Sequence, residues 1–149
     1  MSEYPNIAVI GPGAMGEAII AGLLRNGLKT PMQIYASGPL IDRGKEIGER
    51  YGVHSIHDNK EAVKSAGVVI LSVKPQTINQ VLADLHGCIP QDALVFSIVA
   101  GVTIEMISRG LAHEAVVRAM PNTPAQIGEG ITVWTDSAAV NDRQQDSTY

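Results

Sequence analysis

Apolar and polar positions along the 149-residue chain change period repeatedly, and each change marks an element. The run Ile7-Ala8-Val9-Ile10 is unbroken apolar sequence and reads as a buried strand. Met15, Ile19, Gly22 and Leu23 then recur at helical spacing, and Asn26-Gly27 is a stop signal. Met32–Ala36 predicts a second strand. Leu40, Gly44, Ile47 and Tyr51 trace a second helical stripe, which Gly52 closes. A short strand over Val53–Ile56 and a polar helix over Asn59–Ser65 follow. Val68–Val73 is almost wholly apolar, as a central parallel strand covered on both faces should be. Ile78, Val81, Leu82 and Leu85 return to helical spacing, and Leu94–Ile98 is another buried strand. Thr103 has the chemistry of an N-cap, with Ile104, Ile107 and Leu111 behind it. Strands at Val116-Val117 and Gly130–Trp134 complete the pattern.

This alternation predicts an α/β fold: a Rossmann-type, doubly wound, mostly parallel sheet with helices on both faces and right-handed crossovers. Such sheets bind ligands beyond the carboxyl ends of their strands, where the strand order reverses. Chemistry is therefore expected in loops 11–16, 36–39, 57–59, 72–76, 97–103 and 118–124.

Composition narrows the partners. A net charge of −4 carries no basic footprint, which argues against nucleic acid. No stretch reaches about 18 uninterrupted apolar residues, so no membrane span is expected. The single Cys88 forms no internal disulfide, reads as a small core residue, and fits a cytoplasmic chain. The N-terminus lacks the pattern of a signal peptide. His54, His57, His86 and His113 show no metal-ligand spacing, and most of them are expected at the surface or at strand ends; no metal site is expected. No GxSxG elbow or reactive cysteine setting points to nucleophilic hydrolysis.

The sharpest motif is Gly11-Pro12-Gly13-Ala14-Met15-Gly16, set between a strand and a helix. In a dinucleotide-binding turn, Gly11 makes the tight turn and Gly13 lets the backbone approach a pyrophosphate. Gly16 allows close helix–strand packing, and the helix N-terminus faces the phosphates. An NAD site usually carries Asp or Glu on the ribose about 20 residues further on. Here Tyr35-Ala36-Ser37-Gly38-Pro39 offers no carboxylate, which favours NADP, with NAD also possible. Ser37 and Arg43 are candidates to meet a 2′-phosphate. Alternatively, Ser37 merely caps a helix and Arg43 is a solvated face charge.

Three further segments complete a set: Val73-Lys74-Pro75, Ser97–Thr103, and Val117-Arg118-Ala119-Met120-Pro121-Asn122-Thr123-Pro124. Together with Gly11–Gly16, in this order and spacing, they closely resemble pyrroline-5-carboxylate reductase, with Met-Pro-Asn-Thr-Pro the most specific match. The resemblance implies reduction of a cyclic imine carboxylate to L-proline by NAD(P)H. It implies pyrophosphate contacts from Gly11, Gly13, Ala14, Met15 and Gly16, and adenosine-side contacts from Ser37 and Asn59. Gly38-Pro39 departs from the Arg that the family often places after the serine. Val73, Lys74 and Pro75 should line the path from ribose to nicotinamide, with Ala100 and Gly101 beside the nicotinamide. Met120, Pro121, Asn122 and Thr123 should form the floor where imine meets hydride donor. No residue is singled out as a general acid or base, because the cofactor carries the chemistry.

Simpler roles stay open at several of these positions. Lys74 is also readable as a solvated lysine, Asn59 as a helix N-cap, and Arg118 as the partner of a surface carboxylate. Residues 1–135 are expected to form the NAD(P)-binding domain. Residues 136–149 are expected to be a polar tail or the start of a connection to a helical dimerisation domain. Full-length family members are implied to be homo-oligomers. This chain, without that domain, is expected to be a monomer or weak dimer with little or no turnover alone. A stand-alone NADP-binding module without turnover is the alternative.

Overall fold

The structure is a computed structural model, and it describes residues 6–11, 13–120 and 133–136. Along the chain run β1 (Asn6–Ile10), α1 (Ala14–Arg25), β2 (Ile34–Ser37), α2 (Ile41–Tyr51), β3 (His54–Ile56) and α3 (Asn59–Val63). Then come β4 (Ala66–Leu71), α4 (Ile78–Leu85), β5 (Leu94–Ser97), α5 (Ile104–Leu111), β6 (Val116–Met120) and β7 (Val133–Asp136). The strands form one sheet in the order β3-β2-β1-β4-β5-β6-β7. β1 through β6 pair in parallel, and β7 runs antiparallel against β6. The expected doubly wound, mostly parallel sheet is what forms. β7 extends to Asp136, one residue past the expected domain end.

Strand side chains alternate between faces, so consecutive apolar residues serve two cores. Ala8 and Ile10 join Val69, Leu71 and Val95 under α3, α4 and α5, packed by Val63, Leu82, Leu85, Ile107 and Leu111. Ile7 and Val9 join Ile34, Ala36 and Ile70 on the other face, packed by Ile19, Ile20 and Ile47 of α1 and α2. This double burial is why β1 and β4 read as unbroken apolar runs.

Local signals end the helices as the sequence indicates. Asn26 Nδ2 donates to the carbonyl of Gly22 at 2.9 Å, closing α1. Gly52 takes the left-handed conformation, with φ +73°, after α2. Thr103 Oγ1 accepts from the Met106 amide at 3.1 Å and caps α5.

Some elements differ from expectation. Met32 and Gln33 belong to a 3₁₀ turn, Pro31–Gln33, rather than to β2. Pro31 presets that turn, and Gln33 Oε1 accepts from the Thr30 amide and hydroxyl at 3.0 and 3.2 Å. Leu40 is not on the packed stripe of α2. It precedes the helix and is 69% exposed. α3 is capped by Asp58, whose carboxylate accepts from the Lys60 amide, so Asn59 is not the cap. β4 ends at Leu71 instead of Val73, because its neighbour β1 turns away at Gly11. His113 is buried rather than superficial, with Nε2 2.6 Å from the Ala93 carbonyl, which satisfies the ring inside the core. Cys88 is half-buried and packs on the larger core.

Candidate functional site

Register decides what the loops can do together. Ile10 pairs with both Ser37 and Leu71, Leu71 with Ser97, and Ser97 with Arg118. β2, β1, β4 and β5 thus end in one row, and the described loop residues after them share one edge of the sheet. The strand order reverses between β1 and β4, so the Gly11–Gly16 turn and the Ser72–Pro75 segment sit at the switch point.

The turn is held from both sides. The Gly11 amide donates to the Ser37 carbonyl at 2.8 Å. The Ser72 hydroxyl lies 2.8 Å from the Gly11 carbonyl and 3.1 Å from the Ile10 carbonyl. Gly11 has φ +88°, and a Cβ there would lie 2.6 Å from Val73 Cγ1 and 2.9 Å from its backbone. A Cβ on Gly16 would lie 2.8 Å from both the Gly11 carbonyl oxygen and Ser72 Oγ. These two glycines are therefore required by packing. Gly13 differs: a Cβ built on it meets nothing within 4 Å. The absence of a side chain there leaves open space directly before α1, at a residue with no side-chain cap. Among the described residues, the first bond of that helix is Glu17 N–H to the Gly13 carbonyl, 2.8 Å. The amides of Ala14, Met15 and Gly16 precede it and carry the positive end of the dipole. Open space beside the positive end of a helix fits a phosphate-bearing cofactor.

Two adenosine-side candidates, 22 positions apart, meet directly: Ser37 Oγ donates to Asn59 Oδ1 at 2.6 Å. Ser37 is fully buried and does not cap α2. Its hydroxyl orients Asn59 from below rather than lying open at the rim. Nor is Arg43 a free face charge. It is half-buried, with Nη2 2.6 Å from Glu17 Oε1 and Nη1 3.0 Å from Glu46 Oε1.

Glu17 is the residue that pattern reading missed. Besides Arg43, it accepts from Arg50 Nη1 at 2.7 Å and from the Tyr51 hydroxyl at 2.8 Å, so it ties α1 to α2. The only sequence signal was a carboxylate in the first turn of α1, a common position. The Tyr51 hydrogen bond, with Arg43 and Arg50 behind it, holds the Glu17 carboxyl below the usual carboxylate range, against the opposing effect of burial. A folded-state pKa below the unfolded one means the stabilisation is complete above the ordinary value. It is lost as pH falls through the lowered one. Melting between about pH 6 and about pH 3 should show an acid-side loss of Tm that is smaller in Glu17→Gln. Equal acid-side slopes in the two proteins would disprove this account.

Beyond the switch point, Val73 is half-buried against Gly11, while Lys74 and Pro75 are exposed. Pro75 opens a 3₁₀ turn, and the Lys74 carbonyl accepts from the Thr77 hydroxyl at 2.9 Å. Ala100 and Gly101 are exposed after β5, with Gly101 at φ +77°. Ser97, buried beneath them, accepts from the Val99 amide at 3.2 Å. Arg118 makes no ion pair with a carboxylate among the described residues, and its buried Nε has no hydrogen-bond partner among them. The backbone of β6 reaches Met120. Pro121, Asn122 and Thr123 lie outside the described residues. The described residues hold no cluster of metal-ligating side chains and no helix long and apolar enough to cross a membrane.

Comparison with known proteins agrees with this geometry. Pyrroline-5-carboxylate reductase of Escherichia coli (strain K12) is 36% identical over 135 residues, covering 90% of this chain and 50% of its own length. The enzyme of the same name from Synechocystis sp. is 40% identical over 126 residues, covering 85% of this chain and 47% of its own. The solved structure of a pyrroline-5-carboxylate reductase from Coxiella burnetii superposes with a TM-score of 0.86 at 34% identity, over 96% of this chain and 53% of that one. The chain thus spans about half the length of the relatives it matches. The family described as "NADP oxidoreductase coenzyme F420-dependent" matches residues 6–101, the region that contains the glycine turn, the Ser37–Asn59 pair and the switch point, and the chain belongs to that family.

Proposed function

We propose that this chain is the cofactor-binding half of a pyrroline-5-carboxylate reductase, holding NADPH against a cyclic imine carboxylate that is reduced to L-proline. The observation that carries the reading is the common row of strand ends. It gathers the glycine turn, the Ser37–Asn59 pair and the Val73–Pro75 and Ala100–Gly101 segments along one edge of the sheet. The 34–40% identity to three proteins of that name supports the choice of substrate.

In this reading, the amides of Ala14, Met15 and Gly16 take the pyrophosphate, and Gly11 and Gly13 keep its path clear. Asn59 serves the adenosine ribose, positioned by the buried Ser37 hydroxyl. Val73, Lys74 and Pro75 guide the chain of the cofactor across the switch point to Ala100 and Gly101. Met120, Pro121, Asn122 and Thr123 form the floor under the imine. The nicotinamide, when bound, supplies the hydride. These residues supply orientation toward an imine that is already electrophilic once protonated. The NAD(P)-binding domain in this reading is the expected 1–135 carried through the end of β7 at Asp136.

The absence of a carboxylate at the end of β2 favours NADPH over NADH. Calorimetry of the 149-residue chain with each cofactor should give the lower Kd for NADPH. Tighter NADH binding overturns the preference, and no binding of either cofactor overturns the whole reading.

A further inference from the structure

Arg43 opens no direct question by its position, since it stands in the first turn of the helix that follows β2, where the ribose end of a dinucleotide comes to lie. Its partners do. Both of its terminal nitrogens are engaged by carboxylates, one from its own helix and one from α1. A cavity of about 590 Å³ runs along this place, lined by Gly13 and Ala14 of the phosphate turn and by Glu17, Arg43 and Tyr51. Arg25, the other cation on its wall, stands at the far end of α1. The same open space therefore joins the phosphate turn to a guanidinium that a carboxylate already holds.

We propose that Glu17 is a specificity-determining residue: by engaging Arg43 it sets how strongly the site takes a cofactor bearing a 2′-phosphate over one without. This rests on the dinucleotide-binding reading above, but not on the identity of the substrate. A 2′-phosphate recruits Arg43 only by displacing or sharing with the Glu17 carboxylate. Glu17 thus does at a distance what an acidic residue at the end of β2 does directly in an NAD site: it opposes the extra phosphate. The site stays able to take both cofactors, because the opposing charge is on a side chain that Arg50 and Tyr51 also hold, so Arg43 can leave it without stranding it.

The test is the ratio of Kd for NADH to Kd for NADPH in wild type, Glu17→Gln, and Glu17→Gln combined with Arg43→Gln. Adenosine 2′,5′-bisphosphate and AMP serve as probes that lack the nicotinamide. Glutamine keeps a hydrogen-bond acceptor for Tyr51, and melting curves verify that the variants are folded. Glu46→Gln is a second variant that removes a carboxylate from Arg43, and also from Arg50, while leaving the Glu17 side chain in place, and it should move the ratio the same way. In Glu17→Gln the ratio should rise by about fivefold or more, a modest coupling between neighbouring groups. The gain should vanish in the double variant. Equal changes for both cofactors would overturn the proposal, since they would mean that Glu17 acts on the pyrophosphate or on the fold alone. A gain that survives loss of Arg43 would overturn it as well. If wild type binds neither cofactor, the dinucleotide reading itself falls and the proposal falls with it.

Discussion

Gly13→Val should abolish binding of both NADPH and NADH while leaving the protein folded. The two effects separate because a Cβ at this position meets no protein atom within 4 Å. The backbone at Gly13 is extended, with φ −79° and ψ −161°, a conformation that valine adopts readily. Valine is a poorer N-cap than glycine, which costs about 1 kcal/mol and lowers Tm by about 2–4 °C in a chain of this size. The branched side chain would instead fill the space in front of the Ala14, Met15 and Gly16 amides, where the proposed pyrophosphate lies. Calorimetry and thermal melting on the same sample check both halves. Retained binding would mean that the phosphates lie elsewhere, and a collapse of Tm would mean that Gly13 is a packing residue.

Gly11→Ala, two positions earlier, should do the reverse and strike stability first. The left-handed backbone at Gly11 costs an alanine about 1–3 kcal/mol. The new Cβ would also press on Val73 at 2.6–2.9 Å, partly against backbone that has nowhere to move. Overpacking of that kind adds about 1–3 kcal/mol. A loss of about 2–6 kcal/mol in total should lower Tm by at least about 4 °C. A variant that melts with wild type would show that the turn relaxes and that the tight Gly11–Val73 contact does not hold the switch point.

The paired outcomes show what the sequence made legible and what it did not. Strand and helix order followed from apolar period, because β1, β4 and β5 are buried on both faces and the helices on one. Caps with their own side-chain chemistry, Asn26 and Thr103, were legible for the same local reason. Met32 and Leu40 were misread because apolarity alone does not say whether a residue is packed. At each, local turn geometry rather than burial fixed the conformation, and both are exposed. At the site, the glycine turn was visible, but the difference between Gly13 and its two neighbours was not. That difference depends on Val73 and Ser72, about sixty residues away in sequence. The partnership of Ser37 with Asn59, and of Glu17 with Arg43 and Arg50, is likewise long-range. Spacing along one element carries no trace of it.

The Ser72 clasp on the glycine turn also sets an order of events in the making of the protein. β1 is synthesised before the other described strands, yet it lies inside the sheet, and the hydroxyl that fastens its turn is 61 positions downstream of Gly11. At ribosomal rates of about 5–20 residues per second, some 3–12 s pass between the two. For most of that interval β1 has β2 on one edge and only α1, α2 and α3 to pack with, and the edge that β4 later takes stays open. The nascent chain thus carries an apolar strand with an open edge well before its cofactor turn exists. The phosphate turn would be complete for NADPH only after the fourth strand has docked and Ser72 has reached Gly11.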